Sequence, residues 1–250
     1  MRKKIKKIII KFFCFLFHWT KEKPTVLMYH SVADDGHFLS VSSLVFKQQI
    51  EYMKNNGFTF LRSDDLLSGN INNKSVLITF DDGYENNFSI ASKILEQYHI
   101  PAIFFVATDL VGSENKGIKI MDWEQIGLLS KNNLFEIGAH SISHKKLHKM
   151  SMEELKKEVT ESKLILEEKI NKNIKSFAYP FGRYNKIVID IVKKNGYQLA
   201  FSINPGRINE SNNLFEIKRF GIDNSTSQFF KDIFKTGYNL FWQVRWIFYK

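Results

Sequence analysis

The chain is poor in the residues that cross-link a fold or stiffen its turns. Of its 250 residues one is cysteine and four are proline. Cys14 has no internal partner, so no disulfide braces the fold and stability must come from a packed core. Histidine runs out early: none follows His148. No internal repeat and no low-complexity linker appears, which excludes a solenoid or a string of modules. No apolar run spans a bilayer either. The stretch 8–19 is interrupted by Lys11, and a spanning helix needs about 20 residues.

What is present is a basic excess, and its placement matters more than its size. The net charge is +10, of which residues 1–23 carry +7 and residues 229–250 carry +3, leaving residues 24–228 neutral. A neutral body with two basic ends lacks the continuous footprint that a nucleic acid requires, so nucleic acid is excluded as a partner. The first flank, read as a helix, places Lys4, Lys7, Lys11 and His18 on one face and Ile5, Ile8, Ile9, Phe12, Leu16 and Trp19 on the other. That pattern fits a segment lying in a membrane interface, with its cations toward anionic head groups. An uncleaved signal-anchor is the competing reading, since the basic start is followed by no small-x-small cleavage pattern. Trp19, Trp242 and Trp246 all lie in the flanks, and tryptophan favours the water–lipid boundary. The chain is therefore expected to be a single body, 24–228, with a membrane surface as partner. Its expected location is membrane-associated, peripheral or signal-anchored, in a bacterial cell envelope, with the side left open. The alternative for 229–250 is a last helix packed on the core.

Within the body, short apolar runs alternate with helical patterns. Residues 26–29, 76–80, 102–106, 136–139, 176–179 and 199–202 read as strands, several almost continuously apolar, as expected for parallel strands buried on both faces. Residues 58–61 and 216–220 are weaker candidates. The clearest helix begins at Ser151, with Glu154 at capping-box spacing. Repeated strand–helix units predict a parallel α/β fold, and about seven of them suit a barrel. In barrels catalytic groups gather at the C-terminal ends of strands. Four strand ends here present polar oddities: His30 after VLMY, Asp81-Asp82-Gly83 after VLITF, His140 after FEIGA, and Pro180-Phe181-Gly182 after SFAY.

Two adjacent carboxylates after a buried strand need neutralising. Taken alone, they fit a helix N-cap pair worth about 1 kcal/mol as well as they fit a site. His140 and His144 change that balance. Four residues apart, they lie on one side of a helical turn, so both imidazoles reach one ion. Two imidazoles and a carboxylate leave a position open for water, and the other Asp is then free to take that water's proton.

TFDDG (79–83), HSISH (140–144) and the YPFG turn (179–182) resemble the ordered motifs of the polysaccharide deacetylases, the family with the NodB-type homology domain. The resemblance covers roughly residues 24–222. VLMYHSV and MDWEQI (121–126) are most similar to the branch acting on poly-N-acetylglucosamine exopolysaccharides. It implies a deformed (β/α)7-type barrel in a single domain that removes acetyl groups from N-acetylated sugars of a polysaccharide or lipid-linked glycan. It further implies that Asp82, His140 and His144 hold one divalent metal ion, usually zinc, with Asp81 as general base. The oxyanion is expected to meet a backbone N–H near Tyr179. Tyr179, Pro180, Phe181, Gly182, Arg183 and Trp123 are the expected substrate side, with core packing the plainer role for the two aromatic walls Phe181 and Trp123.

The chain departs from the family pattern twice. Many members carry the proton-donating histidine in a late Leu-x-His motif, which this chain lacks. Of the remaining histidines only His30 ends a buried strand, so it is the expected general acid, a structural hydrogen-bonder being its alternative. Many members also carry a base-orienting arginine where this chain has Ala178, and Arg183 is the expected substitute, a solvated side chain being its equal alternative. A catalytically silent glycan-binding homologue and a metal-dependent phosphoesterase are the competing functions. The second usually needs more carboxylate and histidine ligands, often for two metals.

Overall fold

The computed structural model describes residues 23–208 and 213–235. The membrane-interface reading of 1–22, and that of 236–250, lie outside the described residues. The apolar runs become the staves of a curled sheet. In chain order the elements are β1 (Thr25–Tyr29), β2 (Ser31–Val32), β3 (Ser40–Val41), α1 (Ser43–Asn55), β4 (Thr59–Phe60), α2 (Ser63–Ser68), β5 (Ser75–Phe80), α3 (Ser92–Tyr98), β6 (Ala102–Val106), β7 (Glu114–Asn115) and β8 (Ile118–Lys119). There follow α4 (Trp123–Lys131), β9 (Phe135–Ala139), α5 (Met152–Ile170), β10 (Ser176–Ala178), α6 (Lys186–Lys194), β11 (Leu199–Phe201), β12 (Phe220–Gly221) and α7 (Phe230–Lys235).

The main sheet runs β11-β10-β9-β6-β5-β1-β12, with β4 pairing beside β5. Every pair in it is parallel. Its edges nearly meet. Ile217 bridges Phe201 of β11, and Phe220 pairs with Leu27 of β1. One short stave thus touches both edges and closes a deformed seven-strand barrel, as the α/β reading anticipates. The weak strand signal at 216–220 has its cause here, since this stave pairs over only a few residues on either side.

Alternate residues of each strand join different clusters. Leu27, Ile78 and Phe104 pack outward under the helices, while Val26, Leu77, Ile103 and Phe105 fill the barrel. The same period carries Leu77 and Thr79 on to Asp81, and Glu136 and Gly138 on to His140, so the strands aim both site residues at the barrel mouth. Gly138 is required by a close approach: a Cβ there would sit 2.5 Å from the Phe105 ring. Ser151 caps α5 reciprocally with Glu154. Past residue 228, helix α7 packs on the body. Phe230, Ile233 and Phe234 are buried, and the Phe234 ring lies 4.5 Å from that of Phe58. Among the described residues, no helix is long and apolar enough to cross a membrane.

Candidate active site

The two carboxylates part company at once. Asp81 keeps the strand's line, its N–H donating to the Tyr29 carbonyl at 2.9 Å. Asp82 and Gly83 then take φ of 70° and 75°, a left-handed pair that throws the chain outward over β6. Neither carboxylate serves the N-cap role that the sequence left open. Asp82 Oδ1 lies 3.1 Å from His144 Nε2 and 3.5 Å from His140 Nε2. Both Asp82 oxygens are buried, yet neither meets a donor in hydrogen-bonding geometry.

His140 and His144 converge, but not on a helix. Residues 140–146 form an irregular loop in which Ser141 and His144 are left-handed, with φ of 64° and 53°. Such conformations cost about 1–3 kcal/mol each and persist only where the surroundings hold them. The restraint comes from Glu158, buried on α5. Its carboxylate accepts the Ile142 and Ser143 N–H groups, both at 2.9 Å, and the Ser143 hydroxyl. Ser141 Oγ accepts the His144 N–H at 3.1 Å.

These residues suit a metal. One ligand atom from each of Asp82, His140 and His144 lies within 4.8 Å of the others, and the two Nε2 atoms face each other at 3.2 Å. His140 Nδ1 lies 2.7 Å from the Ala178 carbonyl. A carbonyl only accepts, so Nδ1 carries the proton and the Nε2 lone pair is left facing Asp82, the tautomer a metal ligand needs. Among the described residues this is the one grouped set of such donors, too few for a two-metal phosphoesterase.

Asp81 is held by a residue that the sequence reading missed. Arg219 is fully buried and grips the carboxylate at both oxygens, Nη1 to Oδ1 at 2.7 Å and Nη2 to Oδ2 at 2.8 Å. Its Nε donates to the Ser202 carbonyl and Nη1 also reaches Thr79 Oγ1. The guanidinium lies beside the Phe105 and Phe201 rings, 5.6 and 5.8 Å from their centroids. Burial drives the Asp81 carboxyl up, but Arg219 and then His140 more than offset it, leaving it below its ordinary range. The arginine that grips Asp81 is thus Arg219; Arg183, the expected substitute, follows the Pro180 turn. A signal was available: in IKRFG (217–221) a charged residue takes the inward position of an apolar strand.

His30 is half-buried after β1. Burial lowers its imidazole's pKa, only partly countered by the nearby charges of Asp82 and Asp81. Phe181, with φ of 56° and 41% exposure, walls the site, its ring 4.7 Å from that of His144. Gly182 permits this turn, since a Cβ would fall 2.2 Å from Ile203 Cγ1. Pro180 is buried beneath it. Tyr179 faces elsewhere: its hydroxyl donates to the Phe215 carbonyl, and its N–H goes to the Phe201 carbonyl at 3.0 Å, so that N–H is not a free oxyanion donor. Trp123 packs on the main core with Lys169 Nζ 5.9 Å from its ring. Tyr84 is a further residue that the motifs did not flag. It is fully buried, and burial and then the Asp82 charge push its phenol far up, keeping it protonated.

A family model described as polysaccharide deacetylase matches residues 68–200. A poly-beta-1,6-N-acetyl-D-glucosamine N-deacetylase of Staphylococcus aureus is 30% identical over 193 residues, spanning 72% of this chain and 67% of that protein. The solved Streptococcus pyogenes deacetylase PplD, in complex with acetate, superposes with a TM-score of 0.75 at 27% identity, covering 86% of this chain and 99% of that one. A polysaccharide deacetylase from Bacillus cereus superposes with a TM-score of 0.74 at 30% identity, covering 85% and 69%.

Proposed function

The chain belongs to the polysaccharide deacetylase family, and from that premise we propose that it hydrolyses the acetamido group of N-acetylglucosamine units in a bacterial exopolysaccharide. Water adds its oxygen to the acetyl carbon, the carbon–nitrogen bond breaks, and acetate and a free amine leave. The observation that carries the reading is the division of labour between neighbouring carboxylates. Asp82 is open toward two imidazoles, whereas Asp81 is fixed and ionised by a bidentate arginine.

Asp82, His140 and His144 would hold one divalent ion, which the mixed nitrogen and oxygen donors suit to zinc. Bound there, such an ion supplies Lewis acidity toward a carbonyl oxygen and renders water acidic. Asp81 is ionised at neutral pH and acts as the proton acceptor, its second lone pairs free of the arginine. His30 is assigned the donor's part. Neutral at rest, it receives the proton that Asp81 has taken and passes it to the departing nitrogen. Phe181 offers an apolar face to the sugar or its acetyl methyl beside His144.

Acetate release from N-acetylglucosamine oligomers tests this. Activity should require zinc, vanish with a chelator, and fall about 10²- to 10⁴-fold in Asp81→Asn with metal still bound, the usual range for loss of a general base. Turnover that survives either treatment would sink the mechanism. Near-normal turnover in metal-loaded His30→Ala would remove His30 from it. For the two basic, tryptophan-bearing flanks we keep the membrane reading: the enzyme works on an anionic membrane surface of the cell envelope.

A further inference from the structure

Where the described chain enters and leaves the fold bears on how the enzyme meets that membrane. Pro24 leads into the start of β1, at the pole of the barrel opposite the catalytic rim. Its carbonyl accepts the Ile208 N–H at 2.9 Å, and neighbouring Arg207 Nη2 reaches the Ile233 carbonyl at 2.6 Å. α7 ends beside them, with Phe234 on Phe58 and Lys74 Nζ 5.6 Å from the Phe58 ring. Both flanks therefore depart from the same pole.

The first tether is too short to bring its flank round. Four residues, 20–23, separate Trp19 from Pro24, a reach of about 14 Å even when fully extended. The six residues of β5 alone rise about 20 Å. The helix-to-strand connections of the pole have a single sign, while stretch 207–216 of the connection from β11 to β12, whose Ile208 meets Pro24, holds Arg207 against Glu210 and Glu216. The helix-to-strand segments 56–58, 69–74, 99–101, 132–134, 171–175 and 195–198 hold Lys74, Lys172 and Lys175 and no acidic residue. Nearby α2 adds Asp64, which Lys175 holds, and Asp65, which accepts the Arg62 N–H. The strand-to-helix segments of the rim, 30–42, 81–91, 107–122, 140–151, 179–185 and 222–229, hold nine acidic residues against six Lys or Arg.

We infer that the enzyme sits pole-down on anionic phospholipid, with its catalytic rim pointing away from the bilayer. The inference rests on the membrane reading of the flanks and adds to it an orientation and a consequence. Substrate is met as a glycan strand about a barrel's height above the head groups, not as a sugar lying in their plane. The opposite orientation has its own argument, because Phe38, 63% exposed, and Phe181 stand on the rim.

Full-length protein with Cys14→Ser and a single cysteine at either Asn70→Cys (pole) or Phe38→Cys (rim) separates the two. Each variant carries a fluorophore and is mixed with phosphatidylglycerol vesicles bearing a head-group quencher. The expected result is a several-fold loss of emission at 70, none at 38, and unchanged turnover of a soluble oligomer on binding. Equal or stronger quenching at 38, or several-fold inhibition by vesicles, overturns the orientation while leaving membrane binding intact. Failure of the chain to float with vesicles overturns the membrane reading, and the orientation with it.

Discussion

Strand β9 sets a polar residue at each end of the barrel, half-buried Glu136 at the pole and buried His140 just past its last residue at the rim. At the pole, Glu136 is fully engaged by its own chain: Ser63 and Ser176 donate hydroxyls to it, and Lys175 lies 3.7 Å away. At the rim, His140 has one nitrogen fixed on a carbonyl and turns the other toward an Asp82 that has no donor. Backbone conformation divides the same way. Left-handed His99 and Asn171 near the pole merely end helices, whereas Asp82, Ser141, His144 and Phe181 surround the site. Buried polarity that is satisfied internally stabilises a fold; buried polarity left open, on a strained backbone, is kept for something that arrives from outside.

The comparison can be broken most sharply at the ligands. Asp82→Asn should reduce acetate release to the chelator-treated background. It should also abolish the zinc-induced rise in thermal midpoint, a stabilisation of about 2.7 kcal/mol for wild type at zinc one hundred times its Kd. A zinc-induced shift that persists in the variant would move the ion elsewhere. Next comes Arg219→Ala, which strands a buried carboxylate and should cost about 3–5 kcal/mol in denaturant unfolding. Arg219→Lys should restore part of the stability and little of the turnover, because one ammonium cannot grip both oxygens. Glu158→Ala leaves the Ile142 and Ser143 N–H groups without their acceptor. It should weaken zinc about 10- to 100-fold by equilibrium dialysis, as removal of a ligand's supporting contacts does. The smallest effect is expected at the pole. Glu136→Gln should cost about 1 kcal/mol and leave turnover at wild-type level; a large loss of activity there would erase the distinction between the two ends.

Much of this was legible from strand periodicity alone. Counting in twos from Leu77 and Glu136 leads to Asp81 and His140, so the strand ends announce the site. The histidine pair was also visible, though for the wrong reason: helical spacing suggests the convergence, while two left-handed residues and Glu158 on the following helix produce it. Local pattern carries no trace of such a restraint. Arg219 was hidden by a different cause. Its stave touches β1 and β11 only where the barrel closes, so its short strand looks weak in sequence, and its partner Asp81 lies far off in the chain. Trp123 was misleading because an aromatic at a helix start looks the same whether it faces a sugar or the core.

One contact has a consequence for inheritance. The proton on His140 is placed by the carbonyl of Ala178, an atom that every residue type possesses. Substitution at 178 can change what the side chain does without disturbing that proton. The position can drift among lineages, losing an arginine or acquiring another group, while the imidazole keeps its tautomer for as long as the barrel itself persists.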